Sequence, residues 1–471
     1  MSAMSVALER KPVRLIAVAC VIFLCLSYLG GMPDSSKTGV FVMGILTLIA
    51  GGAVVIGIIW HLFLRELPAN QVIKPQTMMS PVARRRVAAV LTVFTAFIAI
   101  GAVWDESWHG KYGIPFGEDF LWRPHQLIYM GFGVILLMAT YAMYNIMRNG
   151  KGTLQQRFRA DPMLGLFVIA GIMLLYAVPT DPFWHGVYGE GLSALSIPHA
   201  LIAVPNTLIG LISINLVFSN VAARKWDSIL KFKLIDLIPV LVFAPLMLNF
   251  MLLLTTDWHA LGNPGIVTIP TIAYARPEWT LMLLVALQGT WMGSMVVFAT
   301  RRYGMASLTL AVSALLRFVL VIATSNPANT LYPWLITLPA MIGVDVAVWY
   351  FSRRGEQITW WKVAIASAIL QSVLVLPFFN QMFIYPVISV GSLPVQIIAI
   401  LVGALIGSWM GQLIGQYIGN ENKASDAVTE SDTVGAASGA PRPVFAWEIP
   451  AALVAGVLFI AFWISISPPP A

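Results

Sequence analysis

The chain has 471 residues, of which 58% are hydrophobic and 10% charged, and carries a formal net charge of +7. So apolar a composition excludes an ordinary soluble domain and points to a polytopic membrane protein. The positive charge does not call for a nucleic-acid partner, because twenty-three of the 28 Lys and Arg fall in alternate inter-helix loops and at the termini, where orientation in a bilayer places them.

From the N-terminus, Arg10, Lys11 and Arg14 precede an apolar run to about Leu29 with no small-residue cleavage site, which reads as a retained first helix. Cys20 and Cys25 lie in it five apart, poor ligand spacing on a helix, and read as packing residues. Runs long enough to span, about 20 residues each, follow at 38–62, 87–104, 125–146, 163–179, 197–219, 235–255, 279–300, 305–324, 334–352, 361–379, 395–418 and 447–467. The expectation is an all-α helical bundle of about 13 transmembrane helices. Basic clusters such as Arg84-Arg85-Arg86, Arg301-Arg302 and Arg353-Arg354 follow the even-numbered runs, so those loops are expected in the cytoplasm. The N-terminus is then inside and the C-terminus outside, in a bacterial inner membrane. Residues 419–446 are polar and aperiodic and read as a disordered cytoplasmic loop. The expected organisation is an N-terminal hairpin (1–84), three tandem helix-hairpin repeats (85–300), further helices (301–418), the polar loop and a last helix (447–471).

The repeats are marked by Asp105, Asp181 and Asp257, each 76 residues after the one before, each following an apolar run and each close to a histidine: His109, His185 and His259. Each copy ends in a Pro-X pair opening the next run: Pro124-His125, Pro198-His199 and Pro277-Glu278. Asp105 and His109 are four apart, as are Asp181 and His185, so each pair shares one face of a continued helix. A short return loop then brings His125 or His199 back as a third ligand, with proline at the helix start where its missing N–H costs nothing. The reading is two metal sites, Asp105/His109/His125 and Asp181/His185/His199, both on the outer face. One carboxylate with imidazoles suits copper, zinc or non-haem iron, and ligand type alone does not choose among them. Trp104, Trp108, Trp122 and Trp184 surround these positions at the depth of an outer aromatic belt. The third copy, Asp257, His259 and Glu278, has different spacing and reads as loop capping before it reads as a metal site.

Asp105-Glu106-Ser107-Trp108-His109, followed by Glu118-Asp119-Phe120 and Pro124-His125, resembles the metal-binding segment of the C subunit of particulate methane and ammonia monooxygenases. The likeness covers about residues 85–220. It implies copper, with Asp105, His109 and His125 as the catalytic set activating dioxygen and a small apolar molecule from the bilayer as the substrate to be hydroxylated. It also implies additional monooxygenase subunits or an electron donor as partners. A second set in that family begins with Asn, where this chain has Asp181, and the chain continues for seven more expected helices that the C subunit lacks. A rival reading is a non-catalytic copper-binding or copper-transport protein. A b-type haem protein fits less well, because axial histidines belong on facing helices within the membrane and these cluster at helix ends.

Two isolated features complete the reading. Arg317 and Asp345 lie inside the ninth and tenth runs and could pair if those helices are antiparallel neighbours, as a structural ion pair rather than a proton or substrate path. His61, near Arg65, reads as an interfacial residue.

Overall fold

A computed structural model of the chain describes residues 14–15, 17–18, 38–68, 73, 76–112, 121–188, 197–218, 226–228, 230, 239–248, 279–323, 332–378, 390–419 and 448–467. Its helices are α1 (Thr38–Ile59), α2 (Pro81–Tyr112), α3 (Arg123–Asn149), α4 (Leu154–Ala160), α5 (Pro162–Tyr188), α6 (Ile197–Phe218), α7 (Pro239–Leu248), α8 (Trp279–Thr300), α9 (Met305–Ala323), α10 (Tyr332–Arg353), α11 (Trp360–Val375), α12 (Leu393–Ile418) and α13 (Glu448–Ser465). β1 (Asp227–Ser228) and β2 (Arg302–Tyr303) form a two-residue parallel bridge between polar connections. The protein is an all-α membrane bundle. Among the described residues six helices are long and apolar enough to cross a bilayer, Val82–Asp105, Arg123–Asn149, Trp279–Thr300, Trp334–Arg353, Trp360–Phe378 and Leu393–Ile418. A seventh arises if α4 and α5, bent by 112° at their junction, count as one span. The other expected runs appear as shorter apolar helices such as Ile202–Phe218 or lie outside the described residues, as do all but four residues of the first run, both cysteines and the polar segment 420–447.

Four helices form a closed ring: α2 packs on α3, α3 on α5, α5 on α6, and α6 back on α2. Gly101 faces Pro124 and Ile128 while Gly131 faces Phe94 and Ile98, so α2 and α3 run antiparallel with backbones in close approach. Gly171 of α5 meets Ala139 of α3, where an added Cβ would lie only 2.6 Å from the alanine Cβ. The Thr92 and Ser213 hydroxyls, 2.8 Å apart and buried, join α2 to α6, and each hydroxyl gives the other the partner that a lipid interior withholds.

One end of this ring is tied by charge and amide groups. Asp161 accepts the Met78 N–H at 3.1 Å and pairs with Arg84, while the Asn149 amide donates to the Met78 carbonyl at 2.8 Å. The start of α2, the end of α3 and the start of α5 therefore meet at the Met78–Asp161 contact. The short α4 opens with a reciprocal capping box between Thr153 and Gln156. Its Arg159 donates to the Leu62 and Arg65 carbonyls and its Arg157 to the Met147 carbonyl, satisfying groups that helix ends leave open. His61 is exposed at this end, in accord with the interfacial reading, and its carbonyl accepts from Gln155.

The second half is built on α8 and α12. Gly403, Gly407, Gly411, Gly415 and Gly419 of α12 and its C-cap sit against the carbonyls of Leu283, Leu287, Trp291, Met295 and Ala299. Both series advance by four together, so the two helices are parallel, and the missing side chains let their backbones touch.

Asp345 does not pair with Arg317. The Asp345 carboxylate instead accepts the backbone N–H groups of Gly304 (2.7 Å), Ala306 (3.4 Å) and Ser307 (2.9 Å) and the Ser307 hydroxyl (2.7 Å). It thereby caps α9 from the neighbouring α10, supplying the acceptor that the free first-turn amides need. Arg317, buried at 1% exposure, lies ten residues further along α9, roughly 15 Å by helical rise.

Candidate functional site

The α2 helix runs beyond its apolar span to Tyr112, so Asp105 and His109 stand on its last turns, four apart as the sequence predicts. α3 begins at Arg123 with Trp122 as its N-cap residue and Pro124 in its first turn. The proline removes only an amide that the first turn leaves unbonded, and His125 follows it within that turn.

This hairpin brings Asp105 and His125 together. The carboxylate oxygen Oδ1 of Asp105 and Nε2 of His125 are 3.1 Å apart, at 19% and 16% side-chain exposure. Tyr129, one turn further along α3, has its ring centroid 5.8 Å from that of His125. The spacing of four from His125 marks Tyr129 in the sequence as a neighbour, although the D-x-x-x-H pattern does not include it.

An aromatic wall stands beside the pair. Trp104, Trp108 and Trp122 are buried and meet edge to face, with centroids 5.2 Å apart at 79° and 5.6 Å apart at 74°. Such edge-to-face contacts set ring against ring with little freedom to shift. Phe97 of α2 stacks on Phe459 of α13 at 5.5 Å, and Phe459 on Trp463. The Trp463 indole lies 5.2 Å under the Arg123 guanidinium and its N–H reaches the Arg123 carbonyl at 3.4 Å. The last helix thus braces the first turn of α3, a contact 340 residues apart in sequence that no local pattern discloses.

The other predicted ligands divide by what is described. Asp181 and His185 lie on the last turns of α5, and His199 lies in the first turn of α6, but their side chains, with those of His109 and Trp184, are outside the described ones. Asp257, His259 and Glu278 lie wholly outside the described residues. Among the described residues no three His, Cys, Asp or Glu side chains form a metal-sized group.

The Asp105/His125 pair nonetheless fits one edge of a coordination shell. Ligands bound at about 2.0–2.1 Å stand roughly 2.9 Å apart at a right angle and about 3.4 Å apart at the tetrahedral angle, and the observed 3.1 Å falls between. The same distance serves an Asp–His hydrogen bond. Comparisons with family models, with curated proteins and with solved structures give no match. The functional reading therefore rests on this chain's own residues.

Proposed function

We propose that the chain is a copper-binding membrane protein related in function to the membrane monooxygenases, with Asp105, His109 and His125 as the catalytic metal set and Asp181, His185 and His199 as further ligands. The observation that supports this most directly is the approach of Asp105, near the end of α2, to His125, at the start of α3, at a separation suited to two ligands of one ion. Copper held there would supply reductive activation of dioxygen. The chain's own residues would orient the ligands, the tryptophan wall would limit water at the site, and the substrate would be a small apolar molecule entering from the bilayer, with other subunits or a redox protein supplying electrons.

The topology belonging to this proposal has thirteen spans in three tandem hairpins and further helices, the N-terminus in the cytoplasm, the C-terminus outside, and the site open to the outer face of a bacterial inner membrane. Alternation of the basic loops supports it.

The test is metal analysis of detergent-purified protein with an absorption spectrum that reveals any haem, comparing wild type with His125→Ala and His61→Ala. Copper in wild type and His61→Ala, with at least the first site's share lost in His125→Ala, is expected. Equal metal content in all three overturns the assignment. Dioxygen uptake by copper-loaded, reduced protein that responds to short alkanes or alkenes separates enzyme from binder.

A further inference from the structure

The sequence pattern assigns its ligands hairpin by hairpin, three from α2–α3 and three from α5–α6. We infer that they form one centre shared by the four helices of the ring. This inference rests on the metal reading above and concerns how the ligands are divided.

Helix register carries it. Ala139 of α3 and Gly171 of α5 are in contact on antiparallel helices. His125 lies 14 residues from Ala139 and His185 lies 14 residues from Gly171, both toward the same end, so each rises roughly 21 Å from the contact. On the other side of the ring, Thr92 of α2 meets Ser213 of α6. Asp105 lies 13 residues from Thr92 and His199 lies 14 from Ser213, again toward that end, a difference of about 1.5 Å in rise. The Asp105–His125 approach joins the two halves directly. The fourth side of the ring closes independently: His185 is three residues before the end of α5 and His199 two after the start of α6, and those helices pack on each other.

Asp105, His125, His185 and His199 therefore occupy one transverse level, one on each helix of the ring. Asp181 and His109 lie one turn to either side of that level on α5 and α2. Neighbouring packed helices have axes about 8–10 Å apart, a span that two histidines facing each other bridge through one ion. The arrangement is that of a bundle centre, in which facing helices each contribute ligands, with carboxylate and imidazole donors enough for one ion or for two ions that share ligands and so bind and leave together.

The distinguishing experiment measures copper per chain in full-length wild type, His125→Ala, His185→Ala and the double variant. A shared centre predicts that each single substitution lowers the content as far as the double one does. Loss of about half in each single variant, adding up in the double, overturns the shared centre and leaves two independent sites standing. Metal-free wild type removes the metal reading itself. A second measurement guards against misfolding of the alanine variants: His125→Cys and His185→Cys are combined on a Cys20→Ser/Cys25→Ser background, and maleimide labelling is followed with and without Cd2+. Protection at least tenfold stronger in the pair than in either single-cysteine protein is expected, and equal protection refutes the common level.

Discussion

Replacing Gly411 by alanine tests the close packing of α8 on α12. An alanine Cβ there would lie 2.8 Å from the Ser294 Cβ and 3.1 Å from the Met295 nitrogen, and closer still to the Trp291 carbonyl oxygen. Two of these three atoms belong to the α8 backbone and cannot rotate aside, so the helices must separate. Such overpacking costs about 1–3 kcal/mol, and an opening of about 0.5–1 Å forfeits a quarter to a half of each dispersion contact along the seam. Alanine is the better helix former by about 0.8–1.0 kcal/mol, which offsets part of the loss. The net expectation is a loss of up to about 2 kcal/mol, as much as a roughly thirtyfold change in the unfolding equilibrium. Gly133→Ala on α3, where an added Cβ meets nothing within 4 Å, supplies the control and is expected to be neutral or slightly stabilising. The assay is equilibrium unfolding in mixed detergent micelles for both variants. Equal stability of Gly411→Ala and Gly133→Ala refutes the account of α12 as a backbone-to-backbone seam.

Asp345→Ala leaves three amides and the Ser307 hydroxyl at the start of α9 without their acceptor, and a loss of about 2–4 kcal/mol is expected in the same assay. Asp345→Asn, which keeps one carbonyl acceptor, should fall between it and wild type. Trp463→Leu removes both the stack on Phe459 and the ring under Arg123, for an expected loss of about 1–2 kcal/mol; Trp463→Phe should retain part of it, and identical values for the two would show that the aromatic ring contributes nothing there.

What the sequence disclosed and what it concealed follow from the range of the interactions. Apolar runs record each helix's own relation to lipid, so the all-α membrane bundle was legible at that level. The meeting of Asp105 with His125 was legible too, because consecutive antiparallel helices so close in sequence pair in few registers and Pro124 marks where the second helix starts. The partner of Asp345 was hidden for a different reason. Opposite charge suggested Arg317, but a carboxylate within bonding reach of free backbone amides is satisfied by groups that every residue carries and no side-chain pattern marks. The glycines of α12 recur every four residues and announce a close-packed face. Nothing local to them names α8, which lies more than a hundred residues earlier, as its occupant.

The brace from α13 bears on the candidate site through position more than through stability. His125 is two residues beyond Arg123, whose carbonyl and guanidinium both engage Trp463. The first turn of a helix is the part most prone to fraying, since its amides have no partners within the helix. Within the α2–α3 pair that turn is held by Pro124 and Ile128 against Gly101, by Gln126 bonded to Leu121 and Arg123, and by Trp122, itself packed against Trp108. Ligand sets function when their geometry is held to about 0.5 Å, a tolerance that a fraying turn does not meet. Trp463 and Phe459 convert that turn into a packed element by joining it to a helix whose other contacts, through Phe97 and Val93, are to α2, the helix that carries Asp105. The same last helix therefore touches both sides of the Asp105–His125 approach, and its distance from them in sequence explains why the site's support could be found only in the folded chain.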